Sequence, residues 1–293
     1  MIRFSKVVKR FRRNEVLKGI DLDIERGQRV ALVGSNGAGK TTLIRCLLGQ
    51  YNCTGKVTID DQNPREFREQ VLLKVGFVPQ LPPPLRMPVG QLLRFAASLC
   101  GAEVERMQHV AGLLGFDAQA FAHQPFVKLS GGQKQKLLIA IALGRDSELL
   151  VMDEPAANLD PEARHILFKL LAEKQQTSAM LISSHRLDEV ASLVNRVVEM
   201  DQGRIVLDDE VADLVDMSSQ LACTVSMTRY EAAFANALSE WGFRKTLTEE
   251  AQWSGLIAGP DRLRFLGMLS RYAALLSGIH MNEVEQSRSE HVA

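Results

Sequence analysis

The chain has no apolar run approaching the roughly 18–20 residues that cross a bilayer; its longest candidate, at 137–143, is far shorter. It has no net charge, because 35 Lys and Arg balance 35 Asp and Glu. No global basic field is therefore available to hold nucleic acid or an anionic bilayer. The basic opening MIRFSKVVKRFRRN lacks the apolar core of a signal peptide. Four cysteines (Cys46, Cys53, Cys100 and Cys223) form no CxxC pair. That excludes a small-domain disulfide framework or a zinc site and implies reduced thiols in a cytosolic protein. What is present, 293 residues at 46 % hydrophobic and 24 % charged, suits a globular protein of one large or two smaller domains. Action at a membrane would require a partner that supplies the membrane part.

Residues 2–24 alternate apolar and polar around a basic loop, as two strands do. RVALVGSNGAGKTTLIRCLLG reads as a buried strand, a glycine-rich loop and a helix. GKVTID at 55–60 and LKVGFVP at 73–79 predict further strands. LPPPLRMP at 81–88 cannot continue either element, and helical periodicity then runs over 89–122, broken at Gly101 and Gly115. We place a helical subdomain at 81–144. Strand signals return in ELLVMDEP, AMLISS, RVVEM and GRIVLDD, with a helix predicted over 161–175. Strands alternating with helices imply an α/β domain with a largely parallel sheet. After 217 the pattern changes. Strand 221–227, helix 230–241, a hairpin over 243–248 and 251–258 turning at Glu249-Glu250, helix 262–277 and strand 279–284 follow the β-α-β-β-α-β, ferredoxin-like order. The sequence thus divides into a domain at 1–217, a small α+β lobe at 218–284 and a polar tail at 285–293 expected to be disordered.

GSNGAGKT at 34–41 matches G-x-x-x-x-G-K-[ST] between a strand and a helix, the context that marks a phosphate-binding P-loop. The glycines let the backbone N–H groups of 36–41 point at phosphate oxygens, and the helix start adds a favourable dipole. Lys40 supplies a positive charge to the β- and γ-phosphates, and the Thr41 hydroxyl suits Mg²⁺. ELLVMDEP delivers two carboxylates at the end of an apolar strand, the edge where open α/β sheets bind ligands. Asp153 is placed to hold Mg²⁺, and Glu154 to polarise the attacking water as general base. His185, after LISS, is expected to reach the γ-phosphate; Gln80, after VGFVP, to reach Mg²⁺ or the lytic water. A second glycine turn, LSGGQ at 129–133, precedes a helical run and offers backbone N–H groups and a hydroxyl to a phosphate.

The order GSNGAGKT, Gln80, LSGGQ, LLVMDEP, NLD and His185 resembles the ATPase subunit of ABC transporters over about 1–215, with LSGGQ the most specific element. That resemblance implies an ATP- and Mg²⁺-dependent ATPase with a P-loop core and helical subdomain, working as a head-to-tail pair of two copies. Each ATP would lie between the cradle of one copy (Ser35, Asn36, Gly37, Ala38, Gly39, Lys40, Thr41, Thr42) and the Ser130, Gly131, Gly132 and Gln133 turn of the other. Asp160, in Asn158-Leu159-Asp160, would bridge the sites. Phe11 matches the adenine-stacking aromatic, where the family usually has Tyr, and Ala156-Ala157-Asn158 departs from a common Thr-x-Gly. The resemblance also implies an integral membrane permease that contacts 81–88, a position on the cytoplasmic face of the inner membrane, and no nucleic acid. The C-terminal lobe resembles that of single-operon exporter ATPases, among them the group serving maturation of the copper enzyme nitrous oxide reductase. It would support the dimer or bind an accessory protein. Met217, Cys223, Met227, Met268 and Met281 are read as core rather than copper ligands. A signalling ATPase that drives a membrane partner without moving a solute stays open. A DNA-repair ATPase would need a long coiled coil or zinc-hook cysteines between the two glycine turns, and a translation-factor relative two ATPase domains.

Overall fold

The computed structural model describes residues 1–175, 177–185, 187–210, 220–246, 252–258, 265, 268–269, 272 and 275–283. The chain divides into two compact units, 1–186 with 193–211 and 187–192 with 212–293.

The strands of the first unit are β1 (Ile2–Phe11), β2 (Asn14–Ile24), β3 (Arg29–Val33), β4 (Thr54–Ile59), β5 (Val75–Val78), β6 (Leu149–Asp153), β7 (Ala179–Ser184), β8 (Arg196–Asp201) and β9 (Arg204–Glu210). Its helices are α1 (Lys40–Leu47), α2 (Arg68–Leu73), α3 (Val89–Cys100), α4 (Val104–Leu113), α5 (Gly131–Leu143) and α6 (Pro161–Lys174). An antiparallel sheet of order β2-β1-β4 lies beside a six-stranded sheet of order β5-β6-β7-β3-β8-β9. The six-stranded sheet is parallel except for the β8–β9 hairpin. β6 and β7 are buried at every residue, which is why LLVMD and AMLISS carry no alternation. Early in β1, burial alternates because one face meets water. Leu43, Ile44 and Leu47 of α1 share one core with Ile2, Phe4, Leu17, Val151 and Leu181.

The helical part of this unit has its own core, with Leu93 of α3, Met107 of α4, Leu137 of α5, Phe116 and Phe126. Gly101, at φ 64°, ends α3 in the left-handed conformation that glycine tolerates. α4 ends at Leu113, at the break expected at Gly115, and the helical pattern expected to continue to 122 does not resume. There Gly115 takes φ 75°, and the Asp117 carboxylate accepts the N–H groups of Gln119 and Ala120, so a local side-chain turn replaces the helix. The short α2 was not expected from the sequence.

The second unit holds α7 (Leu187–Val190), β10 (Gln220–Met227), α8 (Ala232–Glu240), β11 (Arg244–Lys245), β12 (Gln252–Ala258) and β13 (Leu276–Glu283). Its β-rich portion is a four-stranded antiparallel sheet of order β11-β12-β10-β13. Phe234 and Leu238 of α8 pack with Cys223, Val225, Trp253 and Phe265. The expected final strand starts earlier, at Leu276, so 276–277 are strand rather than the end of a helix. The hairpin tip, most of the expected helix at 262–277, Met217 and the tail at 285–293 lie outside the described residues.

Candidate active site

The parallel register places Val33 beside Ser184, Asp153 beside Ser183 and Val78 beside Met152. Strands β3, β5, β6 and β7 therefore finish along one edge. The segments that leave it carry the glycine loop, Gln80, the Asp153-Glu154 pair and His185.

The loop between β3 and α1 is shaped from both sides. Gly34 takes φ 150°, and a Cβ there would stand 2.3 Å from the carbonyl oxygen of Met200. Gly39 takes φ 111° against Leu17 and Val16 of β2. Ser35, Asn36 and Gly37 are exposed; Ala38, Gly39 and Lys40 are buried. The Ala38 N–H donates to the Ser35 carbonyl at 3.1 Å, and the Ala38 carbonyl accepts from Gly203 N at 2.9 Å. The Leu43 N–H bonds back to Gly39 O at 2.9 Å. Lys40, Thr41 and Thr42 occupy the first turn, whose N–H groups have no acceptor within a helix.

Lys40 is only 6 % exposed. Its ammonium donates to the carbonyls of Gly34 at 2.6 Å and Ser35 at 3.3 Å, and lies 3.7 Å from Glu154 Oε1. Glu154, 7 % exposed, holds φ 50°, a conformation uncommon for a side-chain-bearing residue and frequent at functional sites. Its second carboxylate oxygen sits 2.8 Å from His185 Nδ1, which leaves the other ring nitrogen of His185 for a further partner. Ser183, fully buried, ties the two acidic residues together. Its hydroxyl donates to Asp153 Oδ1 at 2.6 Å and accepts from the Glu154 N–H at 3.0 Å. Asp153 is 2 % exposed. The Asp153 carboxylate and the Thr41 hydroxyl are the hard oxygen donors that suit Mg²⁺.

The Ser130 turn forms a reciprocal cap on α5. The Gln133 N–H donates to Ser130 Oγ at 3.2 Å, and the Ser130 N–H donates to Gln133 Oε1 at 2.9 Å. Since the Ser130 oxygen accepts here, its own proton is available to another group. Behind the turn, Gln135 donates to the carbonyl of Pro155 at 3.1 Å, and Lys136 pairs with Asp160 at 2.7 Å. The Lys136 hydrogen bond, with the Ala163 N–H that Asp160 also caps, holds the Asp160 carboxyl below the usual carboxylate range.

The sequence profile described as "ABC transporter" matches residues 17–157. The Nod factor export ATP-binding protein I of Cupriavidus pinatubonensis is 35 % identical over 233 residues, 77 % of this chain and 70 % of that protein. The chain belongs to the ABC transporter family. The zinc import ATP-binding protein ZnuC of Pseudomonas fluorescens is 36 % identical over 68 % of this chain and 72 % of its own length. An ATP-binding cassette solved as a dimer in a post-hydrolysis state with ADP and Pi shares the fold, with a TM-score of 0.65 and 22 % identity over 73 % of this chain and all of the other. This ABC subunit binds and hydrolyses ATP and energises a transporter.

The structure brings Lys40, Asp153, Glu154 and His185 of this ABC cassette into one contact network and puts Gln80 on the same sheet edge. Phe11 stands apart from that network, at the end of β1. There it meets Tyr51 edge-on at 5.2 Å and carries Lys9 over its ring at 4.7 Å. The hydrogen bonds of Ser130 and Gln133 are to each other and to their own helix. Ser183, Gln135, Lys136 and Gly203 were not anticipated as site residues. The first three lie inside or beside the quoted motifs, and a polar residue in or behind an otherwise apolar run was the available signal. Gly203 had only the Gln-Gly turn signal, and its contact with the loop appears only after folding.

Proposed function

We propose that Glu154 is the general base of ATP hydrolysis, held between Lys40 and His185 at the end of β6. That placement is the observation that carries the proposal. Lys40 leaves its loop carbonyls for the β- and γ-phosphates, which releases Glu154 Oε1 toward water. His185 steadies the other carboxylate oxygen through Nδ1 and offers Nε2 to the γ-phosphate. Thr41, Asp153 and Gln80 would hold Mg²⁺, which neutralises phosphate charge when bound. Ser35, Asn36, Gly37, Ala38, Gly39 and Thr42 complete the cradle, and Phe11 stacks on adenine through its ring.

The Ser130 turn serves a second copy. Gly131 has ordinary backbone angles and open space where a Cβ would stand. Its own chain would tolerate a side chain, so the demand for glycine comes from a close approach by something else. The γ-phosphate held by a partner's Lys40 fits that demand, with the Ser130 hydroxyl, the Gly131 and Gly132 N–H groups and Gln133 facing it and Asp160 joining the two sites. The cassette bound to ADP and Pi is itself a dimer.

The finer organisation follows the same reading. The ATPase domain spans 1–217 with a helical subdomain at 81–144, and the lobe spans 218–284. Strand order β11-β12-β10-β13 supports a ferredoxin-like topology for that lobe. The loop at 81–88 meets an integral membrane permease, which keeps the subunit on the cytoplasmic face of the inner membrane; among the described residues no helix is long and apolar enough to cross it. The zinc import relative is as similar as the Nod factor export relative, so identity leaves the direction of transport open. The lobe supports placement with single-operon exporters, including the group for copper-enzyme maturation, and is the place for an accessory protein. Cys223 and Met227 are core residues, with burial pushing the Cys223 thiol up to about 11, so the lobe's role there is contact rather than copper ligation.

Glu154→Gln tests the whole reading. It is expected to lower kcat about 10²-fold or more while ATP stays bound. The variant, isolated from native membranes with ATP and Mg²⁺, should carry a polytopic membrane protein. Full hydrolysis by the variant would sink the assignment of the base, and recovery with nucleic acid alone would sink the transporter partner.

A further inference from the structure

Two cysteines outside the catalytic network share one cavity. Cys46 lies on α1, the helix whose first residue is Lys40, and Cys53 lies just before β4. Both line a cavity of about 380 Å³, together with Tyr51, Asn63, Arg65 and Glu66. Cys46 is buried and Cys53 partly exposed, and each thiol is the largest influence on the other's titration. Lys9 approaches from β1, where its ammonium donates to the carbonyl of Asn52 at 2.6 Å. The Glu66 carboxylate accepts from Asn63 at 3.0 Å, and the Tyr51 hydroxyl accepts from Arg45 at 2.6 Å.

The asymmetry between the thiols follows from these neighbours. Interaction with the Cys46 thiol, aided by Lys9 and Arg65 and opposed by burial, brings the Cys53 thiol down to about 7. The same interaction, burial and the Cys53 charge push Cys46 far above the ordinary thiol range. A partly exposed thiol with a lowered pKa and a buried thiol on one cavity, with Arg65 in its lining, are the arrangement of an attacking and a resolving cysteine.

We propose that Cys53 and Cys46 are a peroxide-reactive dithiol, with Cys53 attacking and Cys46 resolving. The Cys53 thiolate attacks one oxygen of hydrogen peroxide. The S–O bond forms, the O–O bond breaks, and hydroxide leaves as Cys53 becomes a sulfenic acid. The Cys46 sulfur then attacks the Cys53 sulfur. The S–S bond forms, the S–O bond breaks, and the leaving hydroxide takes the Cys46 proton as water. Overall two thiols and one peroxide give a disulfide and two waters. The product fastens α1, and with it the helix turn that carries Lys40, to the start of β4.

The test uses the reduced full chain, without nucleotide, treated with hydrogen peroxide at pH 7. Peptide mapping is expected to return a Cys46–Cys53 disulfide, reversed by a dithiol reductant, with Cys100 and Cys223 still free. Cys46→Ser should stop the reaction at a sulfenic acid on Cys53 that dimedone traps, and Cys53→Ser should leave Cys46 unmodified. In the unsubstituted chain, iodoacetamide should alkylate Cys53 several-fold faster than Cys100 at pH 7, with a midpoint near 7. Alkylation of Cys53 no faster than Cys100, or higher oxides on Cys53 with Cys46 free, overturns the proposal. Neither result bears on ATP hydrolysis, so failure here is distinct from failure of the catalytic assignment.

Discussion

Ser183 shows how one buried hydroxyl serves a charged site. Its hydroxyl donates a hydrogen bond to Asp153 and accepts one from the Glu154 N–H, so the Asp153 carboxylate and the Glu154 backbone depend on it for position. Ser183→Ala is expected to lower kcat about 10–100-fold, as loss of such a supporting contact does. It is also expected to cost about 1–3 kcal/mol of stability, because a buried acceptor loses its donor. Threonine, which keeps the hydroxyl, should restore most of kcat; equal kcat in serine, alanine and threonine variants would dismiss the positioning role. Gly131 makes the opposite case. Its Cβ has open space, so Gly131→Ala should leave the melting temperature unchanged or slightly higher. ATP hydrolysis should nonetheless fall about tenfold or more, as when a transition-state contact is lost. A fully active alanine variant would argue against a nucleotide at this turn.

At the scale of elements, α5 and α6 link the Ser130 turn to the end of β6. Gln135 reaches the carbonyl just after Glu154, and Lys136 holds Asp160, which also caps α6 ahead of Pro161. Asp160 has a lowered carboxyl pKa, so its charge contributes stability above the ordinary Asp value of about 3.9. That contribution is lost as pH falls below this value and through the lowered one. Asp160→Asn keeps a capping oxygen and removes the charge. Denaturant titrations should show the unsubstituted chain ahead of the variant by a constant margin from neutral pH to about 5, shrinking below about 4. A margin that did not change with acid would assign the benefit to the cap and leave nothing for the ion pair.

At the scale of the whole molecule, the proposed function assigns the two glycine turns to different halves of one site. Lys40 and Glu154 are in contact within the chain, whereas among the described residues Ser130 and Gln133 bond within their own turn and helix. A Lys40→Met chain keeps its Ser130 turn, and a Ser130→Phe chain keeps its cradle. Each alone is expected to be inactive. Mixed, they should recover ATP hydrolysis, because one composite site is then intact. Continued inactivity of a mixture that forms dimers on native gels would refute sharing of the site between copies.

Sequence by itself determined the strand–loop–helix of the P-loop, the Asp-Glu end of β6, the Ser130 turn and most of the strand and helix order. These are local: glycine spacing, apolar runs and caps act within a few residues. The break at Gly115 was legible, but the lack of a helix from 116 to 122 was not, because the Asp117 side-chain turn outcompetes a helix without changing the apolar period. The short α2 lacked a pattern long enough to stand out. Only the tertiary structure decided that Lys40 rests against Glu154, that His185 meets Glu154 rather than standing alone, and that Gly203 shapes the loop through Ala38. It also decided that Cys46 and Cys53 share a cavity. The contacts of Lys40, Glu154 and His185 depend on the order β5-β6-β7-β3-β8-β9, which sets residues far apart in the chain side by side at one sheet edge. Local spacing carries no record of that order, because long-range pairing is chosen by the packing of whole elements.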